Sequence, residues 1–474
     1  MPKIYSVKDV VLSLISHTNV GKTALARTLL RQDVGEVADR AHVTVVSEAY
    51  PMIEDGEATM RLWDTPGFGA ALAKLVGRLR KSKNPVGWLL HQVWDRLTDK
   101  SLWCSQEAIR NIREDADIVL YLVDGSQDPD SIGYVDLEME ILEWIGKPVL
   151  VLLNQTGEPK PNRDEAEVTE WRNHLSRWTS VRHVLSLDAF ARCWVQEREM
   201  LDLVRDEIPE EKKSACEQLL LAWRERNLET FANATDVLGR WLAESAEDSE
   251  PVSEPSVLER IGLNRGERSK ELESARQKLC ERLAQRTKSA MDELIQLYGL
   301  SGEAARKLEQ ARLTNFEERQ PVNESLWGTV GGVLSGAVSG LAADLLAGGL
   351  TLGGGMIAGA AAGGAGGFAL AKGYNLAKGE KNTVRWREDY FLDIVKLCLT
   401  SYLAVSHFGR GRGEWQEGEI PAFWLELVAS RVAGEQAALR EIWQGGNVAS
   451  SARTAERLLR GLLVDLYPET RAFI

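Results

Sequence analysis

Val10–Leu30 reads VVLSLISHTNVGKTALARTLL: an apolar run, a short polar loop, then a stretch of helix formers. The run Val10–Ile15 is near-continuously apolar, as a strand buried on both faces requires. The loop Ser16–Thr23, SHTNVGKT, follows it at once, and ALARTLLRQ continues as a helix. Strand, loop and helix in this order surround phosphate oxygens with backbone N–H groups at a helix N-terminus. In that chemistry the lysine reaches the β and γ phosphates, and the hydroxyl after it binds Mg2+. Lys22 and Thr23 take those roles, and Gly21 lets the backbone approach closely. Ser16, His17, Thr18, Asn19 and Val20 complete the cradle. Ser16 stands where glycine is usual, a turn that serine makes at some conformational cost.

Outward from this loop, strand candidates recur at Ala58–Trp63, Ile118–Val123, Val149–Leu153 and Val181–Leu185, alternating with helical stretches. That alternation predicts an α/β domain over residues 1–195, a mostly parallel sheet with helices on both faces. Trp63-Asp64-Thr65-Pro66-Gly67 closes the second of these strands and matches the DxxG motif of GTPases. Asp64 is placed to hold Mg2+ through water, and the Gly67 N–H to sense a γ-phosphate. Between the two motifs, Thr44 is the best candidate for the threonine that completes the metal shell. LYLVDGS (120–126) and VLVLLNQTG (149–157) follow in the order expected of a GTPase, with Asn154 at a strand end. The frame predicts GTP/GDP and Mg2+ as ligands, with Thr23, Thr44 and Asp64 as metal residues.

Two departures stand out. The base-reading NKxD motif is NQTG here, with Gln155 for the lysine and Gly157 for the aspartate. Losing a charge-assisted carboxylate weakens guanine discrimination by at most a few kcal/mol. Another carboxylate such as Asp188 reading the base, relaxed selectivity, and loss of turnover all remain open at this point. The residue after DTPG is Phe68, where Ras-like enzymes place the glutamine that orients water.

Residues 68–111 form an insertion with a basic, Trp-bearing piece, KLVGRLRKSKNPVGWLLHQVWDRL. It reads either as a partner-binding helix or as a solvated helix packed on the GTPase domain. Beyond Glu210 the strand signal disappears. Helical spacing sets in at Cys216, Leu219, Leu220, Trp223, Phe231, Ala234, Leu238 and Trp241, and again at Leu272, Ala275, Leu279, Leu283, Leu294 and Leu297. A helical domain is expected over 196–326, with the acidic stretch AEDSEPVSEPS (246–256) as linker or exposed loop. Two amphipathic helices are expected within 373–474, the last carrying Leu458, Leu459, Leu462, Leu463 and Leu466. Between them, 327–372 repeats glycine every four residues, at Gly328, Gly332, Gly336 and Gly340 and at Gly355, Gly359, Gly363 and Gly367. Such spacing makes one helix face a groove for a second backbone, a Gly-zipper hairpin with its turn at Gly348–Gly355. Asp344 is its only charge up to Ala371. Entry into a bilayer and tight packing inside a helical domain both fit.

The totals narrow the field further. The chain has 474 residues and a net charge of −13, which argues against nonspecific nucleic-acid binding, so no nucleic-acid partner is expected. Five cysteines without a CxxC pair read as reduced core thiols. MPKIYSVKDVV lacks the apolar run of a signal peptide. The cytoplasm is the expected compartment, with attachment to the inner membrane through the hairpin as the alternative.

Together these pieces resemble bacterial proteins that carry a GTPase domain followed by a domain of unknown function numbered 3482. The carriers are SHTNVGKT, WDTPG, LYLVDGS, VLLNQTG, LDAFARCWVQE (187–197) and the glycine-rich hairpin. The resemblance covers most of the chain. It implies a prokaryotic protein paired with a membrane protein, and no known cellular role. SHTNVGKT is also similar to the loop of Era- and TrmE-like GTPases, whose asparagine helps bind K+ beside the phosphates. That likeness implies K+ in place of an arginine finger and a homodimer through the GTPase domains; a turn-stabilising Asn19 is the other reading. The candidate catalytic residues are therefore Lys22, Asn19, Thr44 and Gly67. Ser16 through Thr23, Asp64, Gly67 and Asn154 are the nucleotide-holding set. The expected function is a regulatory GTPase whose nucleotide state acts on the helical half. A binding module with little hydrolysis and a dynamin-like membrane remodeller are the alternatives. Ribosome assembly follows only from the Era-like loop, and the acidic charge weighs against it.

Overall fold

The computed structural model describes residues 5–17, 20–31, 48–68, 76, 79–80, 82–87, 100–154, 163–187, 193–254, 265–299, 382–407, 422–468 and 471. Two compact units divide the chain: Met1–Leu228 with His407–Gly413, and Glu229–Ser406 with Glu414–Ile474.

The first unit is built on a six-stranded sheet in the order β2-β3-β1-β4-β5-β6. The strands are β1 (Asp9–Ser16), β2 (Glu48–Asp55), β3 (Ala58–Asp64), β4 (Ile118–Asp124), β5 (Val149–Asn154) and β6 (Val181–Ser186). All neighbours run parallel except β2, which pairs antiparallel with β3. β1, β4 and β5 are buried almost throughout, which is why their apolar runs are legible. β2 was not among the five expected strands. It is an edge strand with only Ile53 buried, and it carries Pro51 beside a register shift at Pro51/Ile53. An edge tolerates proline and needs little apolar surface, so the usual signals are missing. Gly56, at φ +58°, makes the tight turn from β2 to β3.

Helices α1 (Lys22–Leu30), α2 (Lys100–Glu114), α3 (Gly133–Ile145), α4 (Arg163–Leu175) and α5 (Trp194–Glu207) join the sheet. β1 has β3 on one side and β4 on the other, so the chain reverses its direction of winding there. That is where open α/β sheets place their ligands, beyond the strand C-terminal ends. In the insertion, the described residues Val76, Leu79 and Val86 are buried in the core with Phe68, Ile15 and Trp171. Arg80 forks onto the Glu140 carboxylate of α3, at 2.7 Å for its shortest contact. These residues pack on the domain; Trp88 and Trp94, on which the two readings of the insertion turn, lie outside the described residues.

α6 (Glu210–Glu247) contributes its first half to the first unit and its second half to the second. The second unit adds α7 (Arg265–Leu297), α8 (Glu388–His407), α9 (Ala422–Gly434), α10 (Gln436–Gly445) and α11 (Val448–Leu466). Among the described residues, four helices therefore follow residue 382 where two were expected. The breaks come at Gly434 and at Gly445-Gly446, where Gly445 takes φ +140° and Asn447 caps α11 by accepting the Ser450 N–H at 2.9 Å. The periodic positions Phe231, Leu238, Trp241, Leu279, Leu283, Leu459 and Leu462 are all buried.

The acidic stretch 246–256 is corrected too. Asp248 is buried against Arg282 (2.9 Å) and Arg286, and Glu250 accepts from Lys278 (2.7 Å) and Arg282 (2.9 Å). Ser249–Pro251 forms a short antiparallel pair, β7, with β8 (Thr383–Arg385), so strand structure does not end at Glu210. Asp248 and Glu250 are held by a basic face of α7, so a free linker does not describe them, while Glu247, Ser249, Pro251, Ser253 and Glu254 are exposed as a surface loop would be. The cysteines read as expected: all are free, four are buried and Cys280 is half-buried. Burial pushes the Cys216 and Cys280 thiols up to about 12. The Gly-periodic segment 327–372 lies outside the described residues. Among those described, no helix is long and apolar enough to cross a membrane.

Candidate functional site

The loop after β1 and the loop after β3 meet at the C-terminal edge of the sheet. The Phe68 N–H donates to the Ser16 carbonyl at 2.8 Å, and His17 bridges to Phe68 in parallel register. The Thr65 hydroxyl donates to the Leu14 carbonyl at 2.7 Å, so the DTPG loop is pinned to β1 from both sides. Ser16 is buried and its hydroxyl donates to the His17 carbonyl at 2.6 Å. Among the described non-glycine residues only Arg31 has a positive φ. Serine thus occupies the usual glycine position in ordinary backbone, without the strain expected for it.

Gly21, at φ +94°, enters α1 with no side chain capping the first turn. The first N–H groups of a helix lack intrahelical acceptors, and here they open onto the loop that ends in Lys22-Thr23. Lys22 is 7% exposed, and its Nζ lies 2.6 Å from Asp64 Oδ1. The Thr23 hydroxyl donates to Asp64 Oδ2 at 3.1 Å. An ammonium, a hydroxyl and a carboxylate therefore converge where a helix N-terminus already favours anions. This donor set fits a phosphate chain with Mg2+, a hard cation that takes oxygen ligands. Thr23 and Asp64 would hold the ion, and Lys22 with the loop N–H groups would hold phosphate. The bound ion would supply charge neutralisation at the phosphates.

Asn154 is fully buried at the end of β5, and its Nδ2 donates to the Val20 carbonyl at 2.8 Å. Its own carbonyl accepts the Gly125 N–H of the VDG segment at 2.6 Å. Asn154 thus ties the phosphate loop to the VDG loop after β4. Gly67 is buried beside Phe68, in the loop fixed by Thr65. The structure thereby gathers Ser16, His17, Val20, Gly21, Lys22, Thr23, Asp64, Gly67 and Asn154. Thr18, Asn19, Thr44, Gln155, Gly157 and Asp188 lie outside the described residues.

Three residues that sequence reasoning missed sit behind the loop. His17 Nδ1 lies 2.6 Å from Glu138 Oε1, and its ring stacks on Tyr134 at 4.0 Å with an 18° tilt. The Tyr121 hydroxyl donates to the other Glu138 oxygen at 2.7 Å. Burial pushes the Glu138 carboxyl above the usual carboxylate range, while His17 and Tyr121 pull it back. Burial and the same carboxylate raise the Tyr121 hydroxyl well above its ordinary value. The signal was present: Val135, Glu138, Met139 and Leu142 share the buried face of α3, so helical periodicity puts a glutamate among core residues.

Comparison with known proteins places these features. Residues 11–155 match the family described as 50S ribosome-binding GTPase, and residues 172–421 match Domain of unknown function (DUF3482). No curated protein matches the chain. Among solved structures, an Era variant from Aquifex aeolicus bound to GDP and aluminium fluoride is 17% identical at TM-score 0.30 over 43% of this chain. The match covers 57% of that Era chain. A probable GTP-binding protein engB is 18% identical at TM-score 0.24, over 38% of this chain and 89% of its own. A dimerization-deficient Toc33 variant from Arabidopsis thaliana is 12% identical at TM-score 0.27, over 44% of this chain and 84% of its own.

Proposed function

We propose that this chain, which belongs to the family described as Domain of unknown function (DUF3482) and carries that domain behind a GTP-binding P-loop GTPase domain, is a Mg2+-dependent GTP-hydrolysing switch read out by its helical half.

The observation that carries this reading is the seating of α6 within the first unit. Gln218 Nε2 donates to the Asp55 carboxylate (2.7 Å) and carbonyl (3.3 Å) at the tip of the β2–β3 hairpin, and Arg226 reaches the Glu54 carbonyl. That hairpin leads straight into Asp64. Asn227 accepts from Arg31 at 2.7 Å, the residue that ends the phosphate-loop helix. Lys212 pairs at 2.7 Å with Asp117, whose carboxylate also accepts the Val11 N–H of β1. Segments flanking DxxG are the ones that rearrange between nucleotide states in GTPases. A helix bonded to both the hairpin and α1, and continuing to Glu247, is suited to carry that change onward.

Hydrolysis on this reading is slow without help. Phe68 is fully buried, so no side chain at that position orients water. K+ held at Asn19, in a homodimer through the GTPase domains, or a partner's side chain fills the role. The experiment is hydrogen exchange with GDP and with a non-hydrolysable GTP analogue, in KCl and in NaCl, followed by turnover in the same tubes. Residues 210–228 should change protection between the two nucleotides, and turnover should be faster in KCl. Identical exchange in α6 would end the switch reading. Tight binding without turnover in either salt would leave a binding module, the reading that Phe68 favours.

Membrane contact through the glycine-rich segment 327–372, whose only charge up to Ala371 is Asp344, belongs to the same proposal. Co-sedimentation with anionic vesicles should depend on the GTP analogue; no sedimentation in either state removes it.

A further inference from the structure

Glu138 is a buried carboxylate that the phosphate chemistry does not use. A charge this deep persists only when its oxygens are paired, and both are taken, one by His17 and one by Tyr121. What makes the pairing functional is where His17 sits. It is the second residue of the phosphate loop, and its backbone bridges to Phe68 of the DTPG loop. Its ring is clamped from the opposite side by the Glu138 carboxylate and the Tyr134 face, both on α3. One side chain therefore joins the phosphate loop, the DTPG loop and α3. A loop whose N–H groups must converge on phosphate oxygens gains affinity from being held in place beforehand.

Resting on the nucleotide reading above, we infer that Glu138 and His17 are a positioning pair through which α3 fixes the phosphate loop and sets the affinity for nucleoside di- and triphosphates. Neither residue touches the nucleotide through this contact; Glu138 acts through His17, and His17 through the loop backbone. α3 is also the helix on which Arg80 of the insertion forks onto Glu140, one half-turn from Glu138.

The test is a double-mutant cycle on the full chain, reading Mg2+–GDP and Mg2+–GTP-analogue affinity by titration calorimetry. Glu138→Ala and His17→Ala should each weaken both nucleotides about tenfold, the scale on which a displaced positioning group acts. The double variant should be no weaker than the worse single one, because both remove one interaction. Glu138→Gln keeps an acceptor for Tyr121 and turns an amide N–H toward His17, which the neutral ring accepts in its other tautomer, so it should recover most of the lost affinity. A purely structural role would lower the melting temperature without this pattern in the affinities of the folded fraction, and additive losses or a Glu138→Gln variant as weak as Glu138→Ala would overturn the pair. Unchanged affinity in Glu138→Ala overturns the pair alone. A wild-type chain that binds neither nucleotide overturns the nucleotide reading, and the pair with it.

Discussion

Lys22→Ala should abolish measurable nucleotide binding while leaving a folded chain. The lysine supplies charge-assisted contacts to phosphate, each worth about 1.5–3 kcal/mol. Losing two of them predicts a fall of about 10^2–10^4-fold in affinity for Mg2+–GTP, at 1.4 kcal/mol per factor of ten. The same substitution has a second consequence. Asp64 is 3% exposed, and its Oδ1 loses the partner at 2.6 Å, leaving the Thr23 hydroxyl at 3.1 Å on the other oxygen. Stripping one member from a buried ion pair costs about 3–5 kcal/mol. The Ala variant should therefore melt lower as well, and the two effects must be read separately. Circular dichroism establishes the folded fraction, and calorimetry on that fraction gives the affinity. Lys22→Arg keeps the charge, so it should protect Asp64 while still misplacing the contact to phosphate. Affinity within threefold of wild type in folded Lys22→Ala would remove Lys22 from the site, and with it the whole assignment built outward from SHTNVGKT.

Much of this site was legible because its chemistry is compressed into consecutive residues. A phosphate cradle needs a strand, a tight loop and a helix start in immediate succession, so Ser16–Thr23 announces itself. Asp64 and Asn154 fall at strand ends, which the apolar runs Ala58–Trp63 and Val149–Leu153 locate. Glu138 was not legible in that way, since it meets His17 across 121 residues of chain. Only the packing of α3 on the sheet brings them together. The fold divides along the same line. Strands β1, β4 and β5 advertise themselves by continuous burial, whereas β2 is half-exposed, charged at both ends and interrupted by Pro51. In the second unit, burial at Leu238, Trp241 and Leu459 follows from helical spacing. The capture of Asp248 by Arg282 and Arg286, which lie 34 and 38 residues away, follows from packing that no local pattern encodes. Its acids and prolines look like a linker because composition reports what a stretch is made of and not what faces it.

The second unit should be sensitive to a single added methyl group in α6. Gly239 lies in α6 between Leu238 and Trp241, both buried, and faces Ala452 of α11. A Cβ at position 239 would meet the Ala452 Cβ at 2.6 Å and its Cα and N at 2.7 Å. Two of those atoms are backbone, so no rotamer change relieves the clash. Replacing glycine by alanine inside a helix ordinarily stabilises by about 1 kcal/mol, because glycine is the more costly residue to order. Overpacking a close helix contact costs about 1–3 kcal/mol, and a contact this short belongs at the upper end. The second effect wins, and Gly239→Ala should lose about 1–2 kcal/mol in urea denaturation. Gly239→Leu should lose more than about 3 kcal/mol, because α6 and α11 must then separate along their length. Ala452→Gly in the Gly239→Ala background removes the Cβ–Cβ clash but not the backbone ones, so recovery should be partial. If Gly239→Ala is instead more stable than wild type, the helices do not approach this closely, and Gly239 is an ordinary helix glycine that ought to be replaceable.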